Sequence, residues 1–395
     1  MDQLITAGTV YPAFPGPASS PGAALVSGGA IVAAGHRAEV EAQATEPDVE
    51  RLDLGTAVVL PGFVDAHVHL SFDASDDPVG RLRQAGDDEL DAVIAGNAAG
   101  LLAAGVTTAR DLGAPRLLDV RARERIRSGQ LAGPDLLLAC QPLTTPGGHC
   151  WYMGGECASL GELLAAVRAR RAAGADWIKV MLSGGFLTDG TIPAEPQFDL
   201  DTLRAVTDAA HEAGLRVAVH AHSTKALWSA GVAGVDTIEH GTFLSGDGVD
   251  FDRELADLLA RRRIPICPTA NRETASYPAE SGTDALARLA RLHRAGVPVI
   301  MGTDAGVRQV PGRAYSAGLL ALERAGFTAA EVLAAATSAA ADALGLAAVT
   351  GRLLPGLRAD LVALPADPLL NLAATGTPIA IMKGGQLMTE RARAC

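Results

Sequence analysis

The chain has 395 residues, 48% of them hydrophobic and 20% charged, with a formal net charge of −12 and a pI near 5.2. This is a globular composition, long enough for a large core, and without a Lys/Arg block the acidic balance argues against nucleic acid and anionic membranes as partners. No run approaches the roughly 20 apolar residues of a membrane span and the N-terminus lacks a signal-peptide pattern, so a cytoplasmic protein acting on a small molecule or peptide is expected, with a homo-oligomer left open.

The first 55 or so residues read as short strands between Gly and Pro: 4–10, 23–26 and 30–35, with a loop over 11–22. The C-terminal end has the same texture at 360–364 and 378–385, so both ends are expected to build one small β-sandwich domain, 1–56 with 352–395. Between them, in residues 57–351, strand and helix signals alternate. The apolar run from Ala57 leads into Pro61-Gly62-Phe63-Val64-Asp65-Ala66-His67-Val68-His69. Strands follow at 106–109, 136–139, 177–181, 216–220, 237–240, 264–267 and 298–301, separated by helix patterns such as 87–104, 160–173, 199–213 and 284–295. Eight strand–helix units over about 300 residues predict an α/β protein, a closed (β/α)8 TIM barrel.

In such a barrel the reactive side chains gather where strands end. The polar residues at those ends are His67 and His69, Lys179, His220 and His222, His240, and Asp304. On a strand, i and i+2 share a face, so His67 and His69 can hold one ion. Imidazoles with a carboxylate suit Zn²⁺, or alternatively Mn²⁺, Fe²⁺ or Co²⁺. The five cysteines, Cys140, Cys150, Cys157, Cys267 and Cys395, show no Cys-x-x-Cys spacing and read as reduced thiols. Cys150, next to His149 in a Gly-rich loop, is the one to watch at a site. His36, His211 and His293 read as surface residues.

With these motifs the sequence resembles the amidohydrolase superfamily of metal-dependent hydrolases, most of all its imidazolonepropionase-like and prolidase-like members. The resemblance spans Pro61 to His69, Lys179 with Ser183-Gly184-Gly185, Val219-His220-Ala221-His222, Ile238-Glu239-His240-Gly241-Thr242, Gly302-Thr303-Asp304-Ala305-Gly306, a trailing Gly356 to Leu361, and Gly147-Gly148-His149. It implies one or two Zn²⁺ ions, with His67, His69 and Asp304 on the first, His220 and His240 on the second, and a carboxylated Lys179 bridging both. Asp304 would also be the acid/base. His149 and Tyr152 would position substrate or stabilise an oxyanion, and His222 would contact substrate or support a ligand.

Arg272, Arg308 and Arg313, in the loops after strands seven and eight, could grip a substrate carboxylate. At Pro311-Gly312-Arg313 the chain departs from relatives that tend to show Pro-His-Gly. The expected reaction is hydrolysis of an amide C–N bond in a peptide or N-acyl amino acid. The alternatives are trimming of a modified peptide of the bottromycin type, a cyclic amide or lactone hydrolase, a ring deaminase, or a non-catalytic scaffold. Ser223, Thr224 and Lys225 after His222 argue against the deaminase, and the complete ligand set argues against the scaffold.

Overall fold

The computed structural model describes residues 2–45, 48–246, 248–274 and 284–390; Cys395 lies outside them. In the middle of the chain, β1 (Phe63–Val68), β2 (Val106–Asp111) and β3 (Asp135–Leu138) pair in parallel. A second parallel run contains β4 (Trp177–Met181), β5 (Arg216–Ser223), β6 (Thr237–Ser245) and β7 (Ile266–Cys267). Every residue of β1, β2 and β4 is buried, as strands covered on both faces must be.

The connecting helices are α1 (Asp87–Ala103), α2 (Leu118–Arg127), α3 (Leu160–Ala172), α4 (Leu200–Glu212), α5 (Thr224–Ala233), α6 (Arg253–Arg262), α7 (Ala285–Arg294) and α8 (Tyr315–Arg324). The sequence starts several of them directly. Ser159, Asp199, Ser223, Asp252 and Asp284 each accept, through the side chain, an otherwise unpaired N–H of the first turn. The result is a TIM-barrel-like α/β fold.

The predicted closed ladder is found as two arcs. β3 and β4 are linked by the isolated Leu143–Val180 bridge, and the eighth strand is reduced to a bridge between Ile266 and Val299 with another between Val68 and Ala305. Backbone bonds from Ala66 N–H to Met301 and from Asp304 N–H to His67 still hold that eighth segment against β1, at 2.9 and 2.8 Å. Around β1, buried side chains take backbone groups that a ladder would use. Arg110 donates through Nε to the Ala66 carbonyl at 2.7 Å, and Asp65 Oδ1 accepts from the Thr303 and His67 N–H groups at 3.0 and 3.2 Å. Backbone groups satisfied this way are unavailable to a ladder. β1 and β2 accordingly slip in register between Asp65 and Val68.

The two chain ends meet. Gln3–Ala7, Gly22–Ser27, Ala30–His36 and Glu50–Asp53 form one sheet; Thr9–Val10, Val58–Pro61, Leu361–Leu364, Ala380–Lys383 and Gln386–Glu390 form another. Ile5, Val26, Ile31, Val59, Leu361 and Met382 share one apolar cluster. Val58–Pro61, which from sequence leads into the first barrel strand, instead pairs antiparallel with Leu361–Leu364. Periodicity could not divide the apolar run from Ala57 to Val64. Gly62 lies between the two strands, packed so closely that a Cβ there would stand 2.3 Å from Thr107 Oγ1.

Candidate metal centre

His67 and His69 project from the end of β1 into one buried cluster. His67 Nδ1 lies 2.8 Å from Glu239 Oε2, and His69 Nδ1 lies 3.1 Å from the Gly113 carbonyl. Both partners only accept, so each Nδ1 carries the proton and each Nε2 a lone pair. Those two Nε2 atoms are 3.3 Å apart and lie 3.4 and 3.5 Å from Asp304 Oδ1. Three acceptors face one another with no proton assigned between them. Burial explains why: it pushes His69 down to about 4 and His67 well below the usual imidazole range, with Lys179 adding to both shifts.

A second group is His220 and His222 on β5 and His240 on β6, whose potential ligand atoms all lie within 4.8 Å of one another. Their tautomers follow from neighbouring hydroxyls. Thr242 donates to the His222 carbonyl at 3.2 Å, leaving its oxygen to accept from His222 Nδ1 at 2.8 Å. Thr269 likewise donates to the Pro268 carbonyl at 2.8 Å and accepts from His240 Nδ1 at 3.0 Å. His220 is reversed: Nε2 donates to the Gly184 carbonyl at 3.0 Å, so Nδ1 holds the lone pair. All three are buried into neutrality, well below the usual imidazole range. Expected from sequence to sit outside the ligand set, His222 is as close to His220 and His240 as a ligand would be.

Lys179 and Asp304 complete the cluster. The Lys179 ammonium position is buried without a hydrogen-bond partner, as is Asp304 Oδ1. Desolvation lowers the lysine's proton affinity and raises the Asp304 carboxyl to about 7. Asp304 and His240 both adopt positive φ, 61° and 69°, a conformation that costs a β-carbon-bearing residue of order 1–3 kcal/mol and is retained where position matters. The residues therefore fit divalent cations: lone pairs of fixed direction, a carboxylate, and buried polar atoms with nothing else to bond.

Behind this layer lies support that carries no role in the expectations from sequence. Glu239 Oε1 takes Arg110 Nη2 at 2.9 Å and Thr237 Oγ1 at 2.6 Å, while Arg110 stacks over Trp177 with its guanidinium 4.2 Å from the ring. Asp65 ties β1 to Thr303 through a 2.6 Å hydroxyl bond. A charged pair inside an otherwise apolar strand pattern was the available signal.

A cavity of about 610 Å³ opens over the cluster, lined by His67, His69, His149, Lys179, His220, His222, His240 and Asp304, and on its outer walls by Phe186, Leu244, Asn271, Arg288 and Arg308. His149 is in place beside His220, with ring centroids 4.4 Å apart. Burial pushes it down to about 3, and Gly185 makes room for its ring, where a Cβ would come within 2.4 Å. Tyr152 does not line the cavity: its hydroxyl donates to the Leu187 carbonyl at 3.3 Å and holds the loop. Arg313 is exposed on a 3-10 turn packed against α1, so it too lies off the cavity. Arg308 stands at the mouth, its side chain 67% exposed and 3.7 Å from Asp76. Arg272 pairs with Glu273 at 3.2 Å. Cys150 lines the cavity, and burial pushes its thiol up to about 12, which disfavours the thiolate. Cys140, Cys150, Cys157 and Cys267 are all free thiols. His211 and His293 are hydrogen-bonded through Nε2 to the Asp236 and Glu331 carboxylates, at 2.9 and 3.0 Å.

The sequence model of the amidohydrolase family matches residues 58–388. An imidazolonepropionase from Cutibacterium acnes is 30% identical over 366 residues, covering 84% of this chain and 81% of its own. An ochratoxinase from Aspergillus niger is 28% identical over 320 residues, covering 72% and 65%. Among solved structures, a Xaa-Pro dipeptidase with methionine in its active site superposes with a TM-score of 0.86 at 27% identity, covering 98% of this chain and 99% of that one.

Proposed function

Because the chain belongs to the amidohydrolase family, we propose that it is a metal-dependent hydrolase of an amide C–N bond in a peptide or N-acyl amino acid. The observation that carries this reading is the trio of facing acceptors, His67 Nε2, His69 Nε2 and Asp304 Oδ1, all within 3.5 Å. His67, His69 and Asp304 would hold one Zn²⁺ and His220 and His240 a second, with His222 within reach as a further ligand. A cation bound there supplies Lewis acidity toward a carbonyl and toward water.

The chain's own groups do the rest. Asp304 takes a proton from the attacking water and returns it to the leaving nitrogen, a role open to a buried carboxylate whose Oδ1 has no hydrogen-bond partner among the described residues. Burial disfavours the ammonium form of Lys179 and so favours the amine that adds CO₂; the carbamate, formed as the nitrogen gives up a proton to solvent, would offer two oxygens sharing one negative charge in place of a repelled cation. His149 turns a neutral ring toward the cavity, where it can donate to oxygen as charge develops there. The two arcs then act as the (β/α)8 barrel and the two terminal sheets as a small sandwich domain. The compartment we propose is the cytoplasm, in keeping with thiols that remain free.

The Xaa-Pro dipeptidase favours a short peptide as substrate. The imidazolonepropionase gives a second reading, a cyclic amide. A library of dipeptides and N-acyl amino acids, with lactones and cyclic imides beside it, tests the two against the Zn²⁺ and Mn²⁺ forms. Turnover of the linear amides supports the proposal; turnover of ring substrates alone supports the second reading.

A further inference from the structure

Helix α7 buries Ala285, Arg288, Leu289 and Leu292, the i, i+3, i+4, i+7 stripe of an amphipathic helix. A leucine would serve at the second of these positions. Arg288 occupies it instead, 7% exposed, lining the cavity. Its Nε has no hydrogen-bond partner, and its guanidinium makes no ion pair with any described residue. The nearest acid in sequence, Asp284, has its carboxylate on the Ala287 N–H at the helix start. Glu273, also on the cavity wall, is paired with Arg272.

A buried guanidinium without a counter-charge among the described residues is costly unless a partner arrives. Burial pushes Arg288 down only to about 10, so it remains a cation at neutral pH. Its charge reaches His222, whose proton affinity it helps to lower.

We infer that Arg288 is the receptor for a carboxylate on the substrate, gripped by the planar guanidinium on the His222 side of the metal centre. This rests on reading the site as an amide-hydrolase centre, and it narrows the substrate to an amide bearing a free carboxylate near the scissile bond. Arg308, solvated at the mouth, and Arg313, off the cavity, lack the desolvation that makes such a grip selective.

The test is titration calorimetry on the metal-loaded full-length protein. The probes are N-acetyl-leucine, N-acetyl-phenylalanine and N-acetyl-proline, each as free acid and as primary carboxamide. Wild type should bind at least one acid more than tenfold tighter than its carboxamide. Arg288→Met should bring that ratio near one without lowering the melting temperature, since it puts an apolar side chain in place of a buried charge within an apolar stripe. Arg288→Lys should keep an intermediate ratio. No preference in wild type for any acid overturns the inference, and so does a preference that survives Arg288→Met. Release of amine from the same probes and from dipeptides, measured in parallel, separates the two readings. Hydrolysis with an acid preference unaffected by Arg288→Met sinks the inference alone; no hydrolysis, with a preference that vanishes in Arg288→Met, sinks the hydrolase reading alone.

Discussion

Glu239 holds His67 in place: its Oε2 lies 2.8 Å from His67 Nδ1, and its other oxygen is anchored 2.9 Å from Arg110. The pair fixes the imidazole's tautomer and increases its basicity at Nε2. Glu239→Gln should weaken zinc binding at the first site by about 10–100-fold and, by leaving Arg110 without its counter-charge, lower the melting temperature. Chelator competition measures the first effect and calorimetry the second. Unchanged zinc affinity would remove Glu239 from the site.

Lys179→Ala should abolish hydrolysis and weaken the second ion more than the first, with partial recovery in formate or acetate if two anionic oxygens are what the site lacks. A fully active variant would mean that the site works without the bridge.

Asp304 sets the pH dependence of metal binding. Its folded value, raised to about 7, lies above the unfolded one, so in the metal-free protein its contribution to stability is present in acid and withdrawn as pH rises through 7. For metal binding the sign reverses, because the ion needs the carboxylate. Affinity at the first site should climb about tenfold per pH unit up to pH 7 and flatten above it. His69, held down to about 4, should add no slope above pH 5. No dependence between pH 5.5 and 7 would contradict this assignment.

His149 and Tyr152 should separate. His149→Ala, removing a neutral donor beside the cluster, should lower kcat by about 10²–10³-fold. Tyr152→Phe removes a hydroxyl that holds the loop through the Leu187 carbonyl and Cys150 Sγ and should cost on the order of 1 kcal/mol of stability with kcat nearly unchanged. Equal kcat losses in steady-state kinetics would return Tyr152 to the site.

The alternation of strands and helices was legible in sequence, as were His67, His69, His220, His240, Lys179 and Asp304, because a two-residue period and a place at a strand end are local properties. Glu239 and Arg110 were not, since they are 129 residues apart and acquire a role only when β2 and β6 face each other across the interior. Arg288 hid in an amphipathic helix whose pattern does not say which polar residue turns inward. Arg313 and Tyr152 followed loop position, which fixes neighbourhood but not side-chain direction. Around β1 the ladder is interrupted where Asp65 and Arg110 take backbone partners, an outcome hydropathy does not encode.

The central claim, metal-dependent amide hydrolysis at one cluster, is tested most directly by titrating chelator-stripped protein with Zn²⁺ while following amine release from the dipeptide and N-acyl amino acid library. The prediction is that activity is absent without metal, returns with added Zn²⁺ and saturates at one to two equivalents, the same stoichiometry that elemental analysis finds in protein purified without chelator. Protein that binds no metal, or that hydrolyses these amides equally well after stripping, would contradict it.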